Sequence, residues 1–224
     1  MEHPVLTLIR RNGFTALGWF EPRSADRVPH DARFVILIGN AGPDMFQRFM
    51  RERCQNDQLD EWTKAVIDPL AVDLDAKAVY PFDKPAQPFL AWARRGGAGH
   101  TSPLGLNIHS IYGLWHAYRA ALLLPVVFDL PTHSAGARPC STCEDKPCLS
   151  ACPVSAFDGK SYDVVGCGQH IGSSAGQDCM NGGCKARLAC PVGRGFTYAP
   201  PQIQFHMKAF LKARHELQSN QTKA

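Results

Sequence analysis

No stretch of this chain is long and apolar enough to read as a membrane span. The most apolar run, Ala120 to Phe128, is interrupted by Pro125, whereas a spanning helix needs roughly 18 or more apolar residues. The start, Met-Glu-His-Pro, has no basic segment with an apolar one behind it. No secretory signal is therefore read there, and a cytoplasmic protein is expected. No block of Lys and Arg stands out, and 24 basic against 20 acidic residues leave a net charge of only +4. That balance does not indicate a nucleic-acid surface. Internal repeats and low-complexity tracts are also lacking, so solenoids and biased linkers are excluded. With 45% hydrophobic and 20% charged residues, the chain is neither disordered nor collagen-like. Its 224 residues suit one large domain or two small ones.

What it does have is nine cysteines, eight of them between Cys140 and Cys190. In a reducing compartment a disulfide framework is the poorer reading, and crowded thiols point to bound metal. The first group reads Cys140-x2-Cys143-x4-Cys148-x3-Cys152-Pro153. The second reads Cys167-x11-Cys179-x4-Cys184-x5-Cys190-Pro191. Each group has four thiols and each ends in Cys-Pro. This is the bacterial ferredoxin arrangement with loops inserted, in which the fourth Cys of a run ligates the other cluster. By that rule one [4Fe-4S] cluster takes Cys140, Cys143, Cys148 and Cys190. The other takes Cys167, Cys179, Cys184 and Cys152. Two zinc sites of four thiolates each are the alternative, because Cys140/Cys143 and Cys179/Cys184 also have zinc-like spacing. Cys54 lies in an apolar-flanked segment and is expected to be a core thiol.

Around this segment the pattern is α+β. Helices are expected over Val5 to Arg11, Phe46 to Cys54, Leu59 to Ala71 (disturbed by Pro69) and Phe89 to Arg95. Strands are expected over Phe14 to Phe20, with a bulge at its glycine, and over Arg33 to Ile38, Ala76 to Tyr80 and Ala117 to Leu124. Turn formers from Pro131 to Pro139 mark a boundary. The 60 residues that follow could bury little apolar area alone and need metal cross-links. Gln202 to Gln218 reads as an amphipathic helix packed back on the body. The expected organisation is a front domain over residues 1–130, a cysteine module over 131–200 and a C-terminal helix over 201–224.

The cysteine segment resembles the iron–sulfur half of epoxyqueuosine reductase and of the reductive dehalogenases. Cys152-Pro-Val-Ser-Ala-Phe is similar to their CPTGA-type turn, and Tyr162-Asp-Val with Cys167 to the approach to their fifth thiol. Upstream, Trp92-Ala-Arg-Arg-Gly-Gly-Ala-Gly and the stretch Ser102 to Trp115 resemble the part of epoxyqueuosine reductase ending in a His-Pro-x-Tyr/Phe-Gly-x-Trp turn. The same turn, with an Ala-x-Arg strand like Ala117-Tyr-Arg119, occurs in the mammalian cobalamin-decyanating chaperone. The resemblance implies a nitroreductase-like front domain with a ferredoxin-like double [4Fe-4S] module. It implies electrons passing from two clusters to a cobalamin, or to a flavin, for a reductive reaction.

Within that frame Asn107, His109 and Tyr112 are candidates to hydrogen-bond an amide-fringed macrocycle, and Gly113 belongs to the same turn. Leu104, Leu106, Ile108 and Trp115 would cover its apolar face. Asp83 lies 14 residues before Gly97, the spacing of the proton-donating aspartate in epoxyqueuosine reductase; the alternative is an ordinary turn aspartate. The implied partners are an upstream donor of flavodoxin or ferredoxin type and a small-molecule or corrinoid substrate. With no room for the helical repeats that grip tRNA, no nucleic acid is expected, and no membrane. A stand-alone electron carrier without its own corrinoid is the competing reading.

Overall fold

A computed structural model describes residues 3–54, 58–97, 99–131 and 138–221. The elements run α1 (Pro4–Arg11), β1 (Thr15–Phe20), β2 (Phe34–Ala41), α2 (Asp44–Glu52), α3 (Leu59–Asp73), β3 (Lys77–Val79), α4 (Phe89–Arg95), β4 (Gly99–Thr101), β5 (Asn107–His109) and β6 (His116–Leu124). They continue through α5 (Pro147–Ser150), α6 (Val164–Ile171), α7 (Gln177–Gly182), α8 (Lys185–Leu188) and α9 (Pro200–Gln221). The chain divides into two compact units, residues 1–100 with 116–137, and residues 101–115 with 138–224. The segment 101–115 thus groups with the cysteines rather than with the residues that flank it. Most of the turn-rich stretch read as a boundary, 132–137, lies outside the described residues.

The first unit is built on an antiparallel sheet in the order β1-β2-β6-β3. Its centre is the apolar run of β2, where Phe34 to Asn40 are all buried. A strand covered on both faces needs no polar alternation, which is why the run is continuous. β6 pairs along its length, Phe34 opposite Leu124 and Leu37 opposite Ala121. Val35, Leu37, Ala121 and Leu123 turn to one face and pack with Phe89, Trp92 and Ala93 of α4. By alternation Ile36 and Ile38 turn to the other. β1 carries the expected irregularity at Gly18, where the register with β2 shifts.

The helices follow their caps. Pro4 opens α1, and the His3 imidazole accepts from the Val5 N–H at 3.3 Å. Asn12 and Gly13 close it, with Gly13 at φ +82°. α3 continues through Pro69, because buried Ile67, Leu70 and Ala71 hold its last turns to the body. The packing of those side chains outweighs one missing N–H. One expectation fails. Cys54 is neither helical nor buried: α2 ends at Glu52 and the thiol is exposed. The Met45, Phe46 and Phe49 face of α2 is spent before Cys54 is reached.

In the second unit the helices α5 to α8 have four to eight residues each, too few to be stable by themselves. Its core joins Leu104, Ile108 and Leu114 to Ala156, Phe157 and Ala186, and thiols fill much of the remainder. Cys148 and Cys190 are buried there, with Cys140, Cys152, Cys167 and Cys184 packed against them. α9 lies along α6 and α7, so the C-terminal amphipathic helix covers the cysteine segment.

Candidate metal centre

Cys140 and Cys143 precede α5, Cys148 lies on it and Cys152 follows it. Cys167 is on α6, Cys179 on α7, Cys184 just before α8 and Cys190 just after it. Their neighbourhoods do not follow chain order. Burial pushes the Cys140 thiol up, and Cys190, Cys148 and Cys143 push it further, with Lys146 opposing. Burial likewise raises Cys148, with Cys190 and Cys143 adding to it. Cys190 therefore sits with the first three thiols. Cys167 is raised by burial, then by Cys152, Cys179 and Asp163, against a hydrogen bond from the Tyr162 hydroxyl. Cys184 is raised by burial and by Cys167 and Cys152, against the backbone N–H groups of Arg187 and Ala186. Cys152 therefore sits with the last three.

The second set shares one space. Cys152, Cys167, Cys179 and Cys184 line a single small cavity of about 20 Å³, walled by Phe157, Ile171 and Met207. Among the described residues no three or more His, Cys, Asp or Glu side chains converge as the ligands of one ion. The backbone serves the sulfurs as well, since the Ala156 N–H donates to Cys152 Sγ at 3.3 Å. Tyr162 is held for its bond to Cys167 by a bridge to Phe157 and by ring stacking on it, with centroids 4.5 Å apart. Burial and neighbouring thiols favour the neutral form of Cys140, Cys148, Cys167 and Cys184. A bound metal cation would reverse that penalty on the thiolate. Nearby, the Gln202 side chain is fully buried, and neither its amide N nor its O has a partner among the described residues.

The upstream turn is built to meet this segment. His109 and Gly113 exchange backbone hydrogen bonds of 2.9 Å in both directions. Nδ1 of buried His109 accepts from the Ile111 and Tyr112 N–H groups at 3.0 and 3.3 Å. A ring nitrogen that accepts twice carries no proton, so a neutral His109 holds its proton on Nε2. Gly113 stands at φ +57°, and a Cβ there would lie 2.0 Å from the Val192 carbonyl oxygen. Gly193, at φ +72°, would place one 2.3 Å from the Tyr112 carbonyl carbon. Only glycines let the two backbones cross so closely. The crossing point is two residues past Cys190. The Arg187 guanidinium fastens the same junction. It donates from Nε and Nη2 to the Leu114 carbonyl and stacks 4.4 Å from the Trp115 ring centre and 4.7 Å from that of Tyr198.

The remaining candidates are placed as follows. Trp115, Leu104 and Ile108 are buried, whereas Leu106 is exposed. Asn107 and Tyr112 are half-buried, and the Tyr112 ring packs on His109 and Phe196. Asp83 belongs to the first unit. Its carboxylate accepts the Tyr80 N–H at 2.8 Å and closes a turn. The Arg187 clamp was missed by the sequence reading. The only local signal for it is a basic residue between Cys184 and Cys190.

No family model matches this chain, and no curated protein does. The fold, however, is found in solved structures. The B12-trafficking protein CblC of C. elegans matches with a TM-score of 0.56 at 15% identity, over 91% of this chain and 90% of that one. An epoxyqueuosine reductase from Streptococcus thermophilus matches with a TM-score of 0.52 at 17% identity, over 87% of this chain. The fold is theirs. The chain spans about two thirds, 66%, of the length of that reductase. At such identities the likeness concerns the fold alone. No described helix is long and apolar enough to cross a membrane.

Proposed function

We propose that this chain is an iron–sulfur redox protein that delivers electrons from two [4Fe-4S] clusters to a corrinoid. The delivery serves a reductive reaction or reduction of the cobalamin itself. Cys140, Cys143, Cys148 and Cys190 hold one cluster, and Cys152, Cys167, Cys179 and Cys184 the other. The observation that carries the reading is the crossed grouping of the thiols, with four of them around one cavity. It is the exchange of closing cysteines that a two-cluster ferredoxin requires. Two zinc sites of four thiolates each remain the alternative occupants of the same thiols. When bound, the clusters would supply one-electron steps. The protein supplies thiolates, N–H and O–H donors to the sulfurs, and a dry shell.

The corrinoid part rests on the shared fold with CblC and on Asn107, His109, Tyr112, Gly113 and Trp115 as the turn that meets it. Asp83 is the candidate proton donor. One observation favours the rival reading of an electron carrier with no corrinoid of its own: His109, Gly113 and Trp115 are already spent on the turn and on the contact with Val192 and Arg187.

Iron and acid-labile sulfide on anaerobically prepared protein test the cluster claim. Cys190→Ser and Cys152→Ser should each lower iron towards half, and a full count in either variant refutes that ligand. Anaerobic titration with cobalamin tests the second claim through the spectral change on loss of the lower base. No change at saturation leaves the carrier.

A further inference from the structure

We propose that His170 donates an N–H to the second cluster and sets its reduction potential. The proposal rests on the two-cluster reading above and adds to that site a residue that is not a ligand. Two side chains with polar heads, His170 and Lys185, line the small cavity of Cys152, Cys167, Cys179 and Cys184. Lys185 keeps its ammonium beside exposed Gly182, 3.9 Å from where a Cβ would stand there. His170 lies on α6 three residues after Cys167, so the two side chains are neighbours on one face of the helix. Among the described residues the imidazole has neither a hydrogen-bond nor an ion-pair partner. A histidine in the last turn of a helix ordinarily complements the helix dipole from the solvent side. This one is half-buried and set against thiols.

The backbone pins the residue in place. The His170 carbonyl accepts the Ser173 N–H at 3.0 Å and the Ser173 hydroxyl at 2.8 Å. Gly176 passes so close that a Cβ there would lie 1.9 Å from the same oxygen. A residue fastened at its carbonyl from two sides loses little further freedom when its ring takes up a partner. Four thiolates already serve the four irons of a cubane, so the imidazole has no iron left to bind. What it offers is an N–H. Hydrogen bonds to the sulfurs are one of the protein's means of setting a cluster's potential. An N–H on a sulfur favours the reduced, more negative form, because a donor bonds more strongly as its acceptor gains charge. The potential is thereby made more positive. No covalent bond forms or breaks at His170, and its proton stays on the ring.

The test is an anaerobic redox titration of the full chain with both clusters loaded, read by electron paramagnetic resonance. His170→Leu removes the N–H at similar volume, and His170→Gln keeps an N–H donor. Cys152→Ser, which should lose the second cluster, identifies the wave of that cluster by its absence. In His170→Leu this wave is expected at a more negative potential, by about a tenfold change in the reduction equilibrium or about 59 mV for one electron. The other wave, the iron and the sulfide should not change, and His170→Gln should restore most of the shift. An unmoved second wave, or two waves that move alike, overturns the proposal. Iron lost equally from both variants marks a purely structural role and overturns it too. Iron lost from His170→Leu alone supports the donor, since only the amide replaces it. A colourless parent protein without sulfide, or full iron in Cys152→Ser, overturns the underlying two-cluster reading instead.

Discussion

Adding one methyl group at Gly113 should cost far more than adding one at Gly105, although both glycines have a left-handed backbone. At Gly105, φ is +72° and nothing lies within 4 Å of the new Cβ. Gly105→Ala therefore pays the backbone term only, about 1–2 kcal/mol. At Gly113 the same term applies, and the Cβ would sit 2.0 Å from the Val192 oxygen. The obstacle is backbone, so the chain past Cys190 must retreat by more than an ångström. Overpacking of this kind adds about 1–3 kcal/mol or more, for a total of about 2–5 kcal/mol. For a chain of this size the excess over the Gly105 variant corresponds to roughly 2–12 °C in melting temperature. Because the retreat moves Cys190, the first cluster should also be lost preferentially, with iron falling towards half. Thermal unfolding and iron content of both variants, prepared in parallel, check this. If Gly113→Ala and Gly105→Ala melt together with equal iron, the two backbones do not cross as described.

Other outcomes are expected. Arg187→Lys should lower the urea midpoint by the equivalent of about 1.5–3 kcal/mol, nearly as much as Arg187→Met. An ammonium cannot reproduce the two-pronged bond to Leu114 or the stack between Trp115 and Tyr198; full rescue by lysine would argue against the clamp. Tyr162→Phe removes a hydrogen bond to the sulfur of Cys167, so the second cluster should titrate at a more negative potential by electron paramagnetic resonance while iron content holds. An unmoved potential would mean the hydroxyl does not reach the sulfur. Cys54→Ser should leave iron, sulfide and stability unchanged, as befits an exposed thiol outside the second unit. Stripping the iron with a chelator should destabilise the second unit selectively, read by hydrogen exchange of α5 to α8, since thiols make up so much of its core.

Much of the first unit was legible because its signals are local. The run around Val35 to Ile38 announces a doubly covered strand, and Phe89 to Arg95 is a helix stopped by Gly96-Gly97. The nearness of Cys190 to Cys140 and Cys148 was legible for another reason: Cys-Pro closures carry a known exchange rule that brings distant thiols together. Cys54 misled because apolar neighbours say nothing about where α2 runs out. The attachment of 101–115 to the cysteine unit was illegible. It depends on Gly113 meeting Val192 and on Arg187 reaching Leu114, contacts separated by over seventy residues, and in the sequence each glycine reads merely as a turn.

That attachment has a consequence for how such a protein can be taken apart. The chain passes between its two units at residues 100/101, 115/116 and 137/138. No single break separates them. A fragment ending near residue 130 would carry Leu104, Ile108, Leu114 and Trp115 stripped of their cover, and one starting there would lack the apolar wedge that fills its middle. The cysteine part is therefore not a cassette that recombination could add to the end of a finished domain. A hybrid made by swapping only residues after 130 should be insoluble unless 101–115 travels with it.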